Sequence, residues 1–329
     1  GMIETLEAAK SHPHYSAPLG PNQARGVASG FWFNIGGETS SYITINEDGT
    51  VGLTLGTPDI GGSRASMAMM ASEELGVPME LIKPSVGDTI SLGFNFLTGG
   101  SRATFSTVTT VVESTREAIE ELKKRAALLW EVSLDQVEWF EGHARLISGD
   151  EPKTMSLAQI AKQAGKTGGP IMANCSMNVT GAGPSLGTHI VDVEVDEETG
   201  QVSIIRYTAI QDAGKAIHPA YVEGQMQGGA VQGIGWALNE EYIYNEKGEL
   251  ENTGFLDYRI PVCSDVPMID TVIVEVPNPN HPYGVRGVGE TPIIPPLAAI
   301  SNAVSRATNK RFDELPLSPP KVLAKLMHG

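Results

Sequence analysis

The sequence predicts an α+β protein made of two related units, each with antiparallel β-hairpins packed on helices. Two stretches carry this reading: YITINEDGTVGLTLGTPDIGG from Tyr42, and IVDVEVDEETGQVSIIRYTAIQDAGK from Ile190. Each alternates apolar and polar residues, with Ile43, Ile45, Val51, Leu53 and Leu55 in the first and Val191, Val193, Val195, Val202 and Ile204 in the second. Each crosses an acidic glycine turn, at Asp48-Gly49 or Thr199-Gly200, which is the pattern of a hairpin. Each then passes through a glycine turn into a helix-like stretch. Glycine is abundant, 37 of 329 residues, about 11% against a usual value of roughly 7%, so much backbone turns tightly or approaches something closely.

In chain order, residues 1–24 read as a mobile N-terminal arm, with Gly1 before Met2 as the scar of a removed tag and Met2 as the native start. Residues 25–150 form the first unit. Ser63 is placed to cap a helix over 64–75, which stops at Gly76 with Pro78 beyond. Met67, Met70, Ala71 and Leu75 share one face of it, a packing stripe rather than a set of methionine ligands. A longer helix is expected from about Thr107 to Trp130, with Val108, Val111, Val112, Ile119, Leu122, Ala126 and Leu129 inward and a solvated charged face from Glu113 to Lys124. Residues 151–187 read as a Gly/Pro-rich linker around one amphipathic piece at 155–164. Residues 188–329 form the second unit, in which PIIPPLAAISNAVSRA starts on prolines and continues as an apolar stripe, a further helix.

Composition excludes several classes of function. The chain of 35.0 kDa carries 23 basic and 39 acidic residues, a formal charge of −16, which argues against nucleic acid or an anionic membrane as partner. No apolar run approaches the ~18 residues of a membrane span, and no export signal opens the chain, so the expected compartment is the cytoplasm. Cys175 and Cys263 are the only cysteines, too few for a four-thiolate iron–sulfur or zinc site, and a reduced pair fits such a compartment better than a disulfide. There is no GxGxxG and no HExxH; GKT at 165–167 lacks the leading glycine of a phosphate loop, since position 160 is Ile160. GPSLG at 183–187 matches a nucleophile elbow by letters only, because it runs into a strand. The seven histidines are dispersed, apart from His12 and His14, and read as surface or core residues.

What remains is a set of glycine-dense segments at element ends: GTPDIGGS (56–63), TGGSRAT (98–104), GQMQGGAVQGIG (224–235) and GVRGVGETP (284–292). Glycine backbone brings N–H groups against anionic ligands, so together they suggest capture of a phosphate-bearing cofactor; singly, each also fits a tight turn or helix packing. Glu290 is the sharpest single residue. It follows Gly289 directly before a helix start, and a partly desolvated carboxylate there is suited to general-base work. A carboxylate that merely satisfies helix-start N–H groups is the competing reading.

GVRGVGETP followed by that proline-led helix resembles the catalytic glutamate motif of the xanthine dehydrogenase/aldehyde oxidase family of molybdenum hydroxylases. DAGKAIHPAYVEGQMQGGAVQGIGWAL, YRIPVCSDVP, GTPDIGGSRASMAMMASEELGVP and VGDTISLGFNFLTGGSRATFS resemble four further ordered motifs of that family, from about Arg25 to Pro319. The resemblance implies a molybdenum cofactor-binding fold and a molybdenum–molybdopterin cofactor, in bacteria commonly the cytosine dinucleotide form. It implies water-derived hydroxylation of an aldehyde or N-heterocycle, with electrons leaving through iron–sulfur centres to a flavin or another acceptor. Carried over, Glu290 is the base, Gln225 contacts the pterin with Gly289 beside the base, Gly61, Gly62 and Ser63 form the first cofactor loop, and Gly99, Gly100, Ser101, Arg102 and Ala103 the second. No residue is expected to ligate metal directly, and neither FAD nor an iron–sulfur cluster is expected in this chain. Two departures stand out. The family's GQG loop reads Gly61-Gly62-Ser63 here, without its glutamine. The match also covers only the C-terminal half of the usual molybdenum subunit, so the expectation is a split subunit in a hetero-oligomer. A separate chain would carry the other half, with iron–sulfur and flavin subunits beside it. The rival readings are a non-catalytic cofactor-holding or assembly module of the same fold, and an unrelated carboxylate-dependent hydrolase.

Overall fold

The computed structural model describes residues 1–147 and 153–328. The first elements are α1 (Met2–Ser11), α2 (Pro13–Ser16), β1 (Gln23–Trp32), β2 (Gly37–Ile45), β3 (Val51–Leu55), α3 (Ser63–Leu75) and β4 (Ile82–Val86). They are followed by α4 (Ala103–Trp130), β5 (Val137–Phe140), β6 (His143–Leu146), β7 (Thr154–Ser156), α5 (Leu157–Ala161), α6 (Ala164–Thr167) and β8 (Ile171–Val179). The chain continues through β9 (Ser185–Val195), β10 (Val202–Asp212), α7 (Pro219–Leu238), β11 (Ile269–Val274), α8 (Ile294–Thr308) and α9 (Pro319–His328). They fall into two compact units: Gly1–Phe33 with Gly183–Pro277 and Arg286–Gly329, and Asn34–Ala182 with Asn278–Val285.

The two units share a topology. In the second, the sheet runs β4-β3-β2-β8; in the first, it runs β11-β10-β9-β1 in the same sense. The β2–β3 and β9–β10 pairs are the two expected hairpins, both antiparallel. Their turns are made by Gly49 at φ 89°, with Asp48 accepting from the Thr50 amide, and by Gly200 at φ 76°. A helix follows each hairpin, α3 or α7. A strand then pairs in parallel with the second hairpin strand: β4 on β3, β11 on β10. A second helix then crosses the sheet, α4 over β2 and β8, α8 over β9 and β1. The fourth strand is antiparallel to the first hairpin strand in both units, β8 on β2 and β1 on β9. Only its place in the chain differs, after the repeat in one unit and before it in the other. Parallel strands need a helical crossover, and a long apolar helix on one sheet face closes each core.

Burial follows the sequence stripes. Met67, Met70, Ala71 and Leu75 on α3 and Val108, Val111, Val112, Leu122 and Ala126 on α4 are buried. The opposite face of α4 is laced by ion pairs such as Arg116–Glu74 and Lys123–Glu120. In the other unit, Val191, Val193, Val195 and Tyr207 pack with Met226, Ala230 and Ile234 of α7 and Ala299, Ile300 and Ala303 of α8. Gly26 is required where α8 crosses β1, because a Cβ there would stand 1.9 Å from the Ala299 carbonyl oxygen.

The structure corrects several boundaries. The first 24 residues are not a mobile arm: α1 lies on β9 and β10, with Thr5 and Ala9 buried and Thr5 Oγ1 3.1 Å from Thr188 Oγ1. His14 is buried on Asp192, 3.1 Å away, and Arg25 donates to the same carboxylate at 2.7 Å. This ionic anchor joins residues too far apart in sequence to betray themselves. The expected linker holds β7, α5, α6 and β8, and β8 pairs with β2 over nine residues from Ile171 to Val179; its exposed Met172 and Met177 break the alternation that marks a strand. The expected boundary at 150/151 lies outside the described residues. Ser63 is the first residue of α3 rather than its cap; left-handed Gly62, φ 76°, holds that place. Helix α4 begins one turn early, at Ala103.

Candidate functional site

Three of the four glycine-rich segments lead into helices of the repeat, and two of them, before α4 and before α8, occupy equivalent places. Residues 56–62 join β3 to α3, 98–102 enter α4 and 284–293 enter α8. The fourth, 224–235, does not lie at an element end. It is the interior of α7, where each glycine costs about 1 kcal/mol against alanine. Packing accounts for two of them: a Cβ at Gly229 would stand 2.4 Å from Pro292 and one at Gly233 2.6 Å from Pro296, so α7 seats the start of α8 against bare backbone. Gly224 and Gly228 have nothing within 4 Å of such a Cβ. With half-buried Gln225 between them in sequence, they leave one face of α7 smooth and open.

In the unit of residues 34–182, the first cofactor loop turns through Gly61 (φ 59°) and Gly62 (φ 76°) into buried Ser63. Asp59 accepts from the Arg64 amide at 3.0 Å, and Thr57 Oγ1 lies 2.7 Å from Thr107 Oγ1, tying the loop to α4. The second loop turns through Gly100 (φ 72°) and Ser101 (φ 55°), with Gly99 before them and Ala103 opening the helix. Arg102, expected as part of this loop, is 1% exposed. Its guanidinium donates to the carbonyls of Gly36, Phe96 (3.0 Å) and Glu38 (2.8 Å) and to Thr39 Oγ1. Burial pulls its pKa below the ordinary value, partly opposed by the Glu38 charge. Arg102 therefore holds the loop through its side chain.

In the other unit, the end of β10 holds the segment that leads to Glu290. The Arg286 amide donates to the Ala213 carbonyl at 3.1 Å. Its guanidinium donates to the carbonyls of Val276 and Pro184 and lies 3.3 Å from Asp212 Oδ2. Asp212 is buried and also accepts from the Gly214 and Val276 amides. Gln211 donates to the Val288 carbonyl at 3.1 Å. Glu290 then caps a short 3-10 turn, Thr291–Ile293, that runs into α8, and its carbonyl accepts from the Ile293 amide. Gly289 and Glu290 are half-buried. Gln211 and Arg286 are the functional neighbours that sequence reading missed, although both lie within or beside quoted motifs. Ser185 is buried with its hydroxyl donated to the Asp212 carbonyl at 2.8 Å, so it is no nucleophile.

Among the described residues, no group of three or more His, Cys, Asp or Glu is placed to hold a metal ion. In one unit, positive-φ glycine loops and a serine at a helix start suit an organic anion; in the other, a glutamine on an open helix face suits a group with carbonyl and amide edges; a molybdopterin has both. Their chemistry fits that group.

A family model described as the molybdopterin cofactor-binding domain matches residues 10–267. The chain belongs to this family. It is 33% identical over 286 residues to a xanthine dehydrogenase molybdenum-binding subunit of Escherichia coli O157:H7, covering 85% of this chain and 38% of that one. It is 31% identical over 296 residues to the nicotine 6-hydroxylase large subunit of Paenarthrobacter nicotinovorans, covering 86% and 36%. Its fold matches that of a CO dehydrogenase from Oligotropha carboxidovorans with a TM-score of 0.82, at 22% identity, over 98% of this chain and 42% of that one. The chain thus spans about two fifths of the length of the curated relatives it matches. No helix among its described residues is long and apolar enough to cross a membrane.

Two buried histidines in this domain make its stability depend on pH. Burial lowers the pKa of His189, whose Nδ1 faces the Tyr207 hydroxyl at 2.8 Å, to about 3, and that of His281 to about 4. In the unfolded chain both take a proton near pH 6.5. Between that value and the folded ones the unfolded state binds more protons, so stability is whole above about pH 6.5 and falls as the pH drops. Asp192 acts in the same direction: burial would raise its pKa, but hydrogen bonds from His14 and Arg25 bring it below the ordinary value. The urea midpoint should be clearly lower at pH 4.5 than at pH 7.5; an unchanged midpoint would contradict the buried neutral histidines.

Proposed function

We propose that this chain is the molybdopterin-binding part of a bacterial molybdenum hydroxylase that oxidises an aldehyde or N-heterocycle with oxygen derived from water, Glu290 acting as general base. The observation that carries this reading is the placement of Glu290 at the head of a proline-led helix, on a segment held by Gln211 and Arg286. That much holding suits a carboxylate whose position matters more than its solvation. When bound, the molybdopterin, in its cytosine dinucleotide form, supplies the redox metal that takes up the electron pair. This chain's residues do the rest. The backbone of Gly61 to Ser63 and of Gly99 to Ala103, with Gln225 and Gly289, binds and orients the cofactor, and Glu290 accepts the proton of the attacking oxygen at its carboxylate. Arg102 acts by holding the second loop.

The remaining three fifths of a relative's length would be supplied by a partner, together with iron–sulfur and flavin chains, in the cytoplasm. Between α7 and β11, Phe255, Leu256 and Met268 are 102%, 96% and 86% exposed, and Tyr242, Tyr244, Ile260 and Val262 are exposed with them. Such a run of apolar side chains is a surface made to be covered. The chain produced alone should hold no stoichiometric molybdenum, and should acquire it when produced with its partner chains. Metal analysis of the two preparations decides; a full complement on the lone chain would refute the shared site.

A further inference from the structure

Gln211 lies near the end of β10, fully buried at 0% exposure. Its Nε2 is 3.2 Å from Ser185 Oγ and 3.1 Å from the Val288 carbonyl oxygen. Ser185 donates its own proton to the Asp212 carbonyl at 2.8 Å, so its oxygen has only lone pairs to offer the amide. Both neighbours of Nε2 are therefore acceptors, and this fixes which way the amide faces. Val288 stands two residues before Glu290, in the segment that joins β11 to the 3-10 turn. On one side of it, Arg286 is held through Ala213, Val276 and Pro184. On the other, Pro292 and Pro296 are seated on Gly229 and Gly233 of α7. Gln211 supplies a hold midway between these two anchors.

We propose that Gln211 is a positioning residue for Glu290: its amide grips the Val288 carbonyl, sets the backbone path through Gly289 and thereby aims the carboxylate. This rests on the reading of Glu290 as the base. A buried donor is the right device, because the grip is screened from water and exchanges with no solvent hydrogen bond. Ser185 completes it by orienting the amide.

The test uses Gln211→Met, which keeps volume and length but removes the donor, and Ser185→Ala, which removes the orienting acceptor. In the full chain, hydrogen exchange of the amides from Val288 to Thr291 should quicken about tenfold in Gln211→Met, while exchange in α4 stays as in the unaltered protein. In the assembled enzyme, kcat should fall by about 10- to 100-fold with KM little changed, because misplacement of a reacting group acts on the chemical step. Ser185→Ala should show a smaller effect of the same kind, and adding it to Gln211→Met should bring no further loss, since both act through one grip. Unchanged exchange at 288–291 would overturn the proposal, as would quickened exchange with kcat intact in an enzyme that Glu290→Gln inactivates. Should Glu290→Gln retain its turnover, the base reading fails, and the exchange measurement alone then decides whether Gln211 holds this turn.

Discussion

Glu290→Gln is expected to lower turnover of an aldehyde or N-heterocycle in the assembled enzyme by roughly 10²- to 10⁴-fold or more, while molybdenum content stays at the unaltered level. Removing a general base costs about that much, and an obligatory proton transfer with no substitute base can cost more. Glutamine keeps the length and planar shape of the side chain, and the backbone that places it is fixed from elsewhere: by Arg286 on the Val276 and Pro184 carbonyls and by Gln211 on the Val288 carbonyl. Apart from Gly289, whose backbone the substitution leaves in place, the residues assigned to cofactor capture lie in other segments, so binding should survive. Turnover close to the unaltered enzyme would sink the assignment and leave Glu290 as a helix-start carboxylate. Loss of molybdenum together with turnover would move weight to the cofactor-holding reading.

Arg102→Leu is expected to cost the protein about 3–5 kcal/mol of stability, the range for breaking a buried, fully bonded charged group. The guanidinium is the shared partner of the Gly36, Glu38 and Phe96 carbonyls and of Thr39 Oγ1. Leucine would leave these acceptors buried without a donor, at about 1–3 kcal/mol for each that water fails to reach. Arg102→Lys should not restore it, because a single ammonium cannot reproduce the fork of five N–H groups. Urea denaturation followed by circular dichroism measures the loss. A change under about 1 kcal/mol would show that the loop's conformation is held by Gly100 and Ser101 on their own.

Much of this architecture was legible in the sequence, and the illegible parts share a cause. The hairpins were readable because Asp48-Gly49 and Thr199-Gly200 break two clean alternations, and α3, α4 and α8 because their apolar residues recur at helical spacing. Strand β8 was not, since IMANCSMNV exposes Met172 and Met177 and sits among glycines and prolines. Helix α1 was missed because its inward residues, Thr5 and Ala9, are small and its Ile3 and Leu6 face out. At the site, Glu290 could be singled out because its glycine neighbours are unusual. Gln211 could not, since a glutamine ending a strand looks like any solvent-facing residue until the fold brings Val288 beside it. Arg102 was found as a member of the second loop, but what its side chain holds was not. Sequence shows that a cation stands at a loop, whereas only coordinates show that the charge points inward to carbonyls 64 and 66 residues away.

The order of the fourth strand bears on how the chain comes off the ribosome. The unit of residues 34–182 has all four strands of its main sheet, β2, β3, β4 and β8, within one uninterrupted stretch. Its sheet can condense while the remainder is still being made, leaving only residues 278–285 to join the unit later. The other unit cannot. Its β1 is synthesised well before its partner β9, where Gln23 pairs with Glu194, and α8, which covers both, is made later still. Joining ends that far apart carries a loop-closure cost that grows only as the logarithm of length, so the finished fold tolerates the arrangement. The nascent chain, however, carries an unpaired strand until β9 is made, with Phe31 and the edge groups of β1 open to any stray partner. The delay, more than final stability, makes this unit the step at which a chaperone, or a partner chain arriving late, would be felt.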